Sequence, residues 1–206
     1  MTSSENLPKK HSKFIRAVII GVVILIIVAI ITVVFKRFSP LATINFGSNQ
    51  SAELSFPPID ESLSPNRQKV LYLLQQEFNS PGQGTKYSEG IAEPWCADFV
   101  SWILHEADIP LKNPHSDSWR IPGVYTLQEY LQSVSRFHPT DSVYLPLPGD
   151  IILYGGGSFE THTNFVVAID GDTVTTIGGN ENLKILLQQF NYQDPKYGIL
   201  GFGQVE

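Results

Sequence analysis

Glu93-Pro94-Trp95-Cys96-Ala97-Asp98-Phe99-Val100-Ser101-Trp102 holds the only cysteine in a chain of 206 residues. The cysteine follows a proline closely and stands where an apolar run of helical period begins. Phe99, Val100, Ile103 and Leu104 lie on one side of that run, with Cys96 three and four residues before the first two. The pattern predicts a helix from about Trp95 to Ala107 with the thiol at its start. There the sulfur meets backbone N–H groups without helical acceptors and the positive end of the helix dipole, both of which favour thiolate. Two readings of such a residue stand open, a small buried hydrophobe or a nucleophile.

Working outward, Ser64-Pro65 supplies an N-cap and a first-turn proline for an earlier helix. Val70, Leu71, Leu74 and Phe78 form its apolar face, and Asn79-Ser80-Pro81-Gly82 ends it. A third helix is expected over Thr126–Ser135, followed by a turn at Leu147-Pro148-Gly149-Asp150. Beyond the turn the period changes to two. Asp150–Tyr154, Thr163–Ile169 and Thr173–Ile177 read as strands, the last two joined by a hairpin at Asp170-Gly171-Asp172. Ile185–Phe190 and Gly198–Phe202 complete the set. Helices first and a meandering antiparallel sheet afterwards define an α+β domain.

The N-terminal part is of another kind. Ala17 to Phe35 has no charged residue, and nineteen residues at about 1.5 Å each span roughly the hydrocarbon thickness of a bilayer. The run is longer than the apolar core of a signal peptide. Lys36-Arg37-Phe38-Ser39-Pro40-Leu41-Ala42 offers no small-x-small cleavage site, and Cys96 is too distant to carry a lipid. An uncleaved transmembrane helix is expected. Lys9, Lys10, Lys13 and Arg16 precede it, against Lys36 and Arg37 after it, which puts the N-terminus in the cytoplasm and the C-terminal domain outside. The expected organisation is a cytoplasmic segment 1–16, a membrane helix 17–35, a linker 36–60 rich in Ser, Pro, Asn and Gly, and a catalytic domain 61–206.

Residues 1–37 carry six Lys/Arg and one acid, a net of +5, so the remainder of the chain, with eight basic and nineteen acidic residues, has a net of −11. An acidic domain without a basic cluster argues against nucleic acid as a partner. One cysteine makes no intramolecular disulfide, so the exported domain stands on its core. The lone Cys and scattered His and Asp lack metal-ligand spacing, and neither a metal nor a cofactor is implied.

A nucleophilic cysteine needs a base, and a third group to orient that base. Of five histidines, His11 precedes the anchor, His105 lies about 13 Å along the helix from Cys96, and His115 and His138 sit in proline-adjacent loops. His162 begins the strand Thr161-His162-Thr163-Asn164-Phe165-Val166-Val167 just after Gly155-Gly156-Gly157, a place for an exposed, positioned imidazole. The hairpin brings the end of the next strand, Gly178-Gly179-Asn180, back to the level of His162. There the Asn180 carbonyl is able to accept the ring N–H.

Four segments together carry a resemblance. Trp95-Cys96-Ala97-Asp98-Phe99-Val100-Ser101-Trp102, Pro148-Gly149-Asp150-Ile151-Ile152, His162-Thr163-Asn164-Phe165-Val166 and Thr175-Thr176-Ile177-Gly178-Gly179-Asn180 resemble, in order and spacing, the CHAP family. These are papain-like cysteine amidohydrolases and peptidases that cut bacterial cell-wall peptidoglycan. The resemblance covers about Pro65 to Phe202. It implies Cys96 as nucleophile, His162 as base and a third residue on the following strand. Many relatives have His-Val-Gly in place of His162-Thr163-Asn164, and Glu-Gly-Asn in place of Gly178-Gly179-Asn180. With the usual acid missing, Asn180 is the expected substitute, giving a Cys-His-Asn set. Glu181 is the alternative, disfavoured because adjacent strand residues face opposite ways.

The expected function is hydrolysis of peptidoglycan through a thioester, by an N-acetylmuramoyl-L-alanine amidase or a peptidoglycan endopeptidase. The other reading is an inactive wall-binding or scaffolding module on a tether. An oxyanion would be held by the Cys96 N–H and a second donor, for which Tyr87 is the candidate.

Overall fold

The structure, a computed structural model, describes Leu54–Glu206 and, ahead of them, Ile19 alone. The expected cytoplasmic segment and, apart from Ile19, the expected membrane helix lie outside the described residues, as does most of the linker. Among the described residues no helix is long and apolar enough to cross a membrane.

Helix α1 (Pro65–Asn79) starts as its sequence dictates, with Pro65 in the first turn and the Ser64 hydroxyl accepting from the Arg67 N–H at 3.4 Å. A short helix α2 (Gly84–Tyr87) follows, then α3 (Cys96–Glu106) and α4 (Val124–Ser133). Helix α4 begins two residues earlier than expected because Gly123 in extended conformation is its N-cap. Six strands make one antiparallel sheet: β1 (Phe137–Pro139), β2 (Ile151–Gly155), β3 (Thr161–Asp170), β4 (Thr173–Glu181), β5 (Lys184–Asn191) and β6 (Ile199–Gly203). The order is β1-β6-β2-β3-β4-β5, so β2 to β5 meander and β6 returns to lie between β1 and β2. The α+β class is as the sequence implies. The edge strand β1 and helix α2 are too short for a periodicity to register.

Alternation along the strands splits the apolar side chains into two layers. Ile151, Leu153, Phe165, Val167 and Ile177 face the helices, where they join Phe99, Val100, Ile103 and Leu104 of α3 in the main core. Ile152, Tyr154, Val166, Val174, Phe190 and Phe202 form a second cluster on the opposite face. Phe56 and Ile59, from the end of the expected linker, pack on the main core, so the compact unit begins before residue 61. Cys96 thus opens the helix that lies on the sheet, at the level where β3 begins and β4 ends.

One buried polar cluster ties the frame together. Arg67 of α1 meets Asp150, just before β2, at 2.8 Å, with both side chains almost wholly buried. Asp150 also accepts from the Tyr144 hydroxyl at 2.6 Å and from the N–H groups of Leu147 and Val205 at 2.8 and 3.3 Å. Arg67 reaches Glu206 at 3.1 Å and the Pro148 carbonyl at 2.9 Å. Every oxygen of this buried carboxylate is satisfied, as burial of a charge demands.

Candidate active site

The thiol and the imidazole expected to react do converge. Cys96 is the first residue of α3 and His162 the second of β3, and both line one cleft of about 750 Å³. The Cys96 side chain lies close enough to the His162 ring to favour its protonated form. Nε2 of His162 lies 3.0 Å from Oε1 of Glu181, which leaves Nδ1 as the ring nitrogen for the thiol. Cys96 and His162 are 7% and 9% exposed, so the pair is screened from bulk water yet open to the cleft. Phe159 stacks near the imidazole at 6.4 Å between centroids, and Tyr154 at 6.2 Å. Burial works against the charged imidazolium. The hydrogen bonds and charges of Cys96 and Glu181 outweigh it and raise His162 from 6.5 to about 9.

The third member is the main departure from expectation. Asn180 lines the cleft, but the side chain behind the imidazole is Glu181. Strict alternation along β4 puts residues 176, 178 and 180 on the face that carries His162. The pairing of β4 with β5 runs Gly178↔Leu186 and then Glu181↔Lys184, three residues against two. This bulge, with Asn180 at φ 63°, hands the place of residue 180 to residue 181. Alternation favours Asn180 over Glu181 on a regular strand, and the bulge is where it stops applying.

The carboxylate is held from three sides. Besides His162, Oε1 accepts from the Asn164 amide at 3.1 Å, and Oε2 accepts from the Gln188 amide at 2.7 Å. A Cβ at Gly178 would fall 1.9 Å from Oδ1 of Asn164 and 3.0 Å from Oε1 of Glu181, and one at Gly179 would fall 2.4 Å from the Trp95 ring. The two departures from the family pattern are therefore one rearrangement. The space a side chain at 178 would take is filled by Asn164, and the acid arrives from 181 instead. Asn164 and Gln188 carry no signal of this role in a single sequence.

Tyr87 is not an oxyanion donor. Its ring is fully buried against Trp95, Phe99 and Trp102, and its hydroxyl donates to Glu77 at 2.6 Å. The other histidines among the described residues stand apart from the cleft: His105 stacks on Trp119, His115 pairs with Glu129 at 2.8 Å, and His138 stacks on Tyr144. Asp98, fully buried in the first turn of α3, pairs with Arg120 at 2.6 Å. Burial pushes its carboxyl up to about 6, against the pull of Arg120. It fixes the loop before α4 and takes no place in the cleft. Among the described residues no group of three or more His, Cys, Asp or Glu is placed to hold a metal ion.

A thiol at a helix start with an imidazole on the adjoining strand is the arrangement of cysteine- and histidine-dependent hydrolases. Residues 86–180 match the model of the CHAP domain. Such domains are typically cysteine/histidine-dependent amidohydrolases, and the match points to the peptidoglycan-hydrolase family. No curated protein matches the sequence. A solved structure described as "The crystal structure of Ly7917" is similar at 13% identity with a TM-score of 0.45, over 66% of this chain and 61% of that one.

Proposed function

We propose that the chain is a peptidoglycan hydrolase that cuts an amide or peptide bond with Cys96 as nucleophile, His162 as acid and base, and Glu181 as the residue that orients His162. The observation that carries this reading is a thiol and an imidazole on one open cleft, with a carboxylate 3.0 Å behind the ring. The thiolate attacks the scissile carbonyl carbon and a C–S bond forms. The resulting oxyanion lies toward the leading N–H groups of α3, where the Cys96 N–H is unpaired by the helix. As the C–N bond breaks, the His162 imidazolium gives its proton to the leaving amine. Water then adds to the thioester with His162 taking its proton, the C–S bond breaks, and the acid product leaves with the thiolate restored. Glu181 accepts the far ring N–H throughout and favours the imidazolium.

A decayed, non-catalytic module has no need of an acid behind His162, and Glu181 supports the enzymatic reading instead. The neutral run Ala17–Phe35 and the basic residues ahead of it support a membrane tether that holds the domain outside the cytoplasm, beside the wall.

The test is release of soluble fragments from purified bacterial walls by the full chain in detergent. Wild type releases them, and C96A does not. Fragment masses separate a cut between sugar and peptide from a cut within the peptide. Walls left intact by the wild type would overturn the proposal.

A further inference from the structure

The cleft does not end at the reactive pair. Pro94 and Asn180 line both it and a second groove of about 550 Å³, whose other walls include Ile91, Trp95 and Leu183. The two halves differ in chemistry. Around Cys96 and His162 the walls carry Glu160, Thr161, Asn182 and Gln188. The adjoining groove sets Ile91, Trp95 and Leu183 beside the polar Gln83, Thr85 and Glu93.

The rim residue Leu183 is unusual on two counts. It is 81% exposed, so its apolar surface is left in water. It also has φ 64°, in the left-handed region that an L-residue with a side chain adopts at a cost. Glu181 and Lys184 pair across the two-residue turn Asn182-Leu183, with φ positive at both turn residues. Such a turn favours asparagine first and glycine second, and Leu183 stands where glycine would be unstrained. Of the eight non-glycine residues with positive φ among the described residues, the other seven are polar. Strain of this kind, kept at the edge of a reactive cleft, is a mark of use. Across the groove Ile91 is 47% exposed, a second aliphatic side chain presented to the same space.

We infer that the groove between Leu183 and Ile91 is an apolar subsite that seats an aliphatic side chain of the peptide part of the substrate, beside the bond presented to Cys96. This rests on the hydrolase reading of the same cleft and adds which face of the substrate is read, and by which residues. The occupant follows from continuity: a chain bound across Cys96 and His162 leaves past Pro94 and Asn180 into a groove that offers apolar contact. The two exposed aliphatic side chains, Leu183 and Ile91, offer a glycan's hydroxyls no partner.

The test uses the full chain in detergent carrying C96A, so that binding is read without turnover. The probes are muropeptides solubilised from bacterial walls by a glycan-cleaving enzyme, and chitooligosaccharides of matching length without peptide. L183N removes the aliphatic contact at a position asparagine tolerates, and I91N does the same across the groove. L183M is the conservative control. The expected result is a rise in muropeptide Kd on the order of tenfold for L183N and for I91N, with L183M close to the parent. L183N should also keep or raise the melting temperature, which shows that the fold is not the cause. Equal affinity in all variants overturns the inference, as does a loss of chitooligosaccharide binding that matches the loss for muropeptides. Absence of muropeptide binding by the C96A parent overturns it as well. Failure of the hydrolase reading is seen separately, as walls left intact by the wild type.

Discussion

Two carboxylates, the buried Asp150 and the partly buried Glu181, stand at strand ends of the same sheet, and their partners give them different roles. Asp150 faces Arg67, a cation at every pH of interest, and its oxygens are closed by Tyr144 and two backbone N–H groups. That cluster joins the start of α1 to the end of the chain. Glu181 faces His162, whose charge changes in the accessible range, and its other contacts are neutral amides from Asn164 and Gln188. A fixed cation makes a rivet, whereas a titratable one makes a working part. The two also differ in place, since Arg67 and Asp150 do not line the cleft that Cys96, His162 and Glu181 share.

The largest effect on chemistry is expected at the nucleophile. C96A should lower fragment release by at least about 10⁴-fold, and H162A by a similar factor, because the two act as a unit. C96A should unfold at close to the wild-type temperature, and H162A below it at neutral pH, where the raised imidazole contributes to stability. A C96A protein that still clears walls would remove this cleft from the reaction.

The largest effect on stability is expected at the rivet. R67M leaves Asp150 charged and short of its main partner in a buried place, at a cost of about 3–5 kcal/mol. Thermal unfolding should show it, and wall cleavage per folded molecule should persist. If R67M instead kept its stability and lost turnover, the division of labour between the carboxylates would be wrong.

E181Q sharpens the comparison from the other side. It keeps the size of the side chain and removes the charge that favours the imidazolium, so turnover should fall on the order of 10²-fold. The pH dependence carries the distinctive signature. The proposed acid step needs His162 protonated, and its folded-state value lies at about 9, so wild-type activity should fall as pH rises through that value. Glu181 is one of the contributions that raise it, after Cys96, so the alkaline limb should move to lower pH in E181Q. Linkage has the same sign: a raised histidine stabilises the fold fully below its unfolded value near 6.5, and that stability is lost as pH rises through about 9. An alkaline limb that stays in place in E181Q would show that Glu181 does not act through His162.

The same two carboxylates show how far a single sequence can be read. Asp150 falls in Leu147-Pro148-Gly149-Asp150, where turn chemistry marks the place. The Cys96 helix start, the His162 strand start and the hairpin between β3 and β4 were equally legible, because each rests on local period or local turn signals. Glu181 was not, because its direction depends on one extra residue in β4. That bulge is fitted to neighbours distant in sequence: Asn164 of β3 against Gly178, and Trp95 at the start of α3 against Gly179. The engagement of Tyr87 by Glu77 was hidden for the same reason, since residues ten apart meet only once α1 and α2 have packed.

The smallest expected effect bears on the residue the sequence put forward. Asn180 sits at φ 63° in the bulge, where alanine is strained by about 1–2 kcal/mol, so N180A mixes a backbone effect with loss of the amide. N180G is the cleaner change: glycine adopts this conformation without strain and removes only the side chain. With Glu181 behind the imidazole, N180G should stay within about threefold of wild type in turnover, with its alkaline limb still near 9. N180A should be less stable than N180G, yet no slower per folded molecule by more than the same small factor. A fall in N180G as deep as that of E181Q would mean that the amide shares in holding His162. A fall confined to N180A would place the defect in the bulge, which turns Glu181 toward the ring, and would confirm that the backbone of residue 180, rather than its side chain, serves the site.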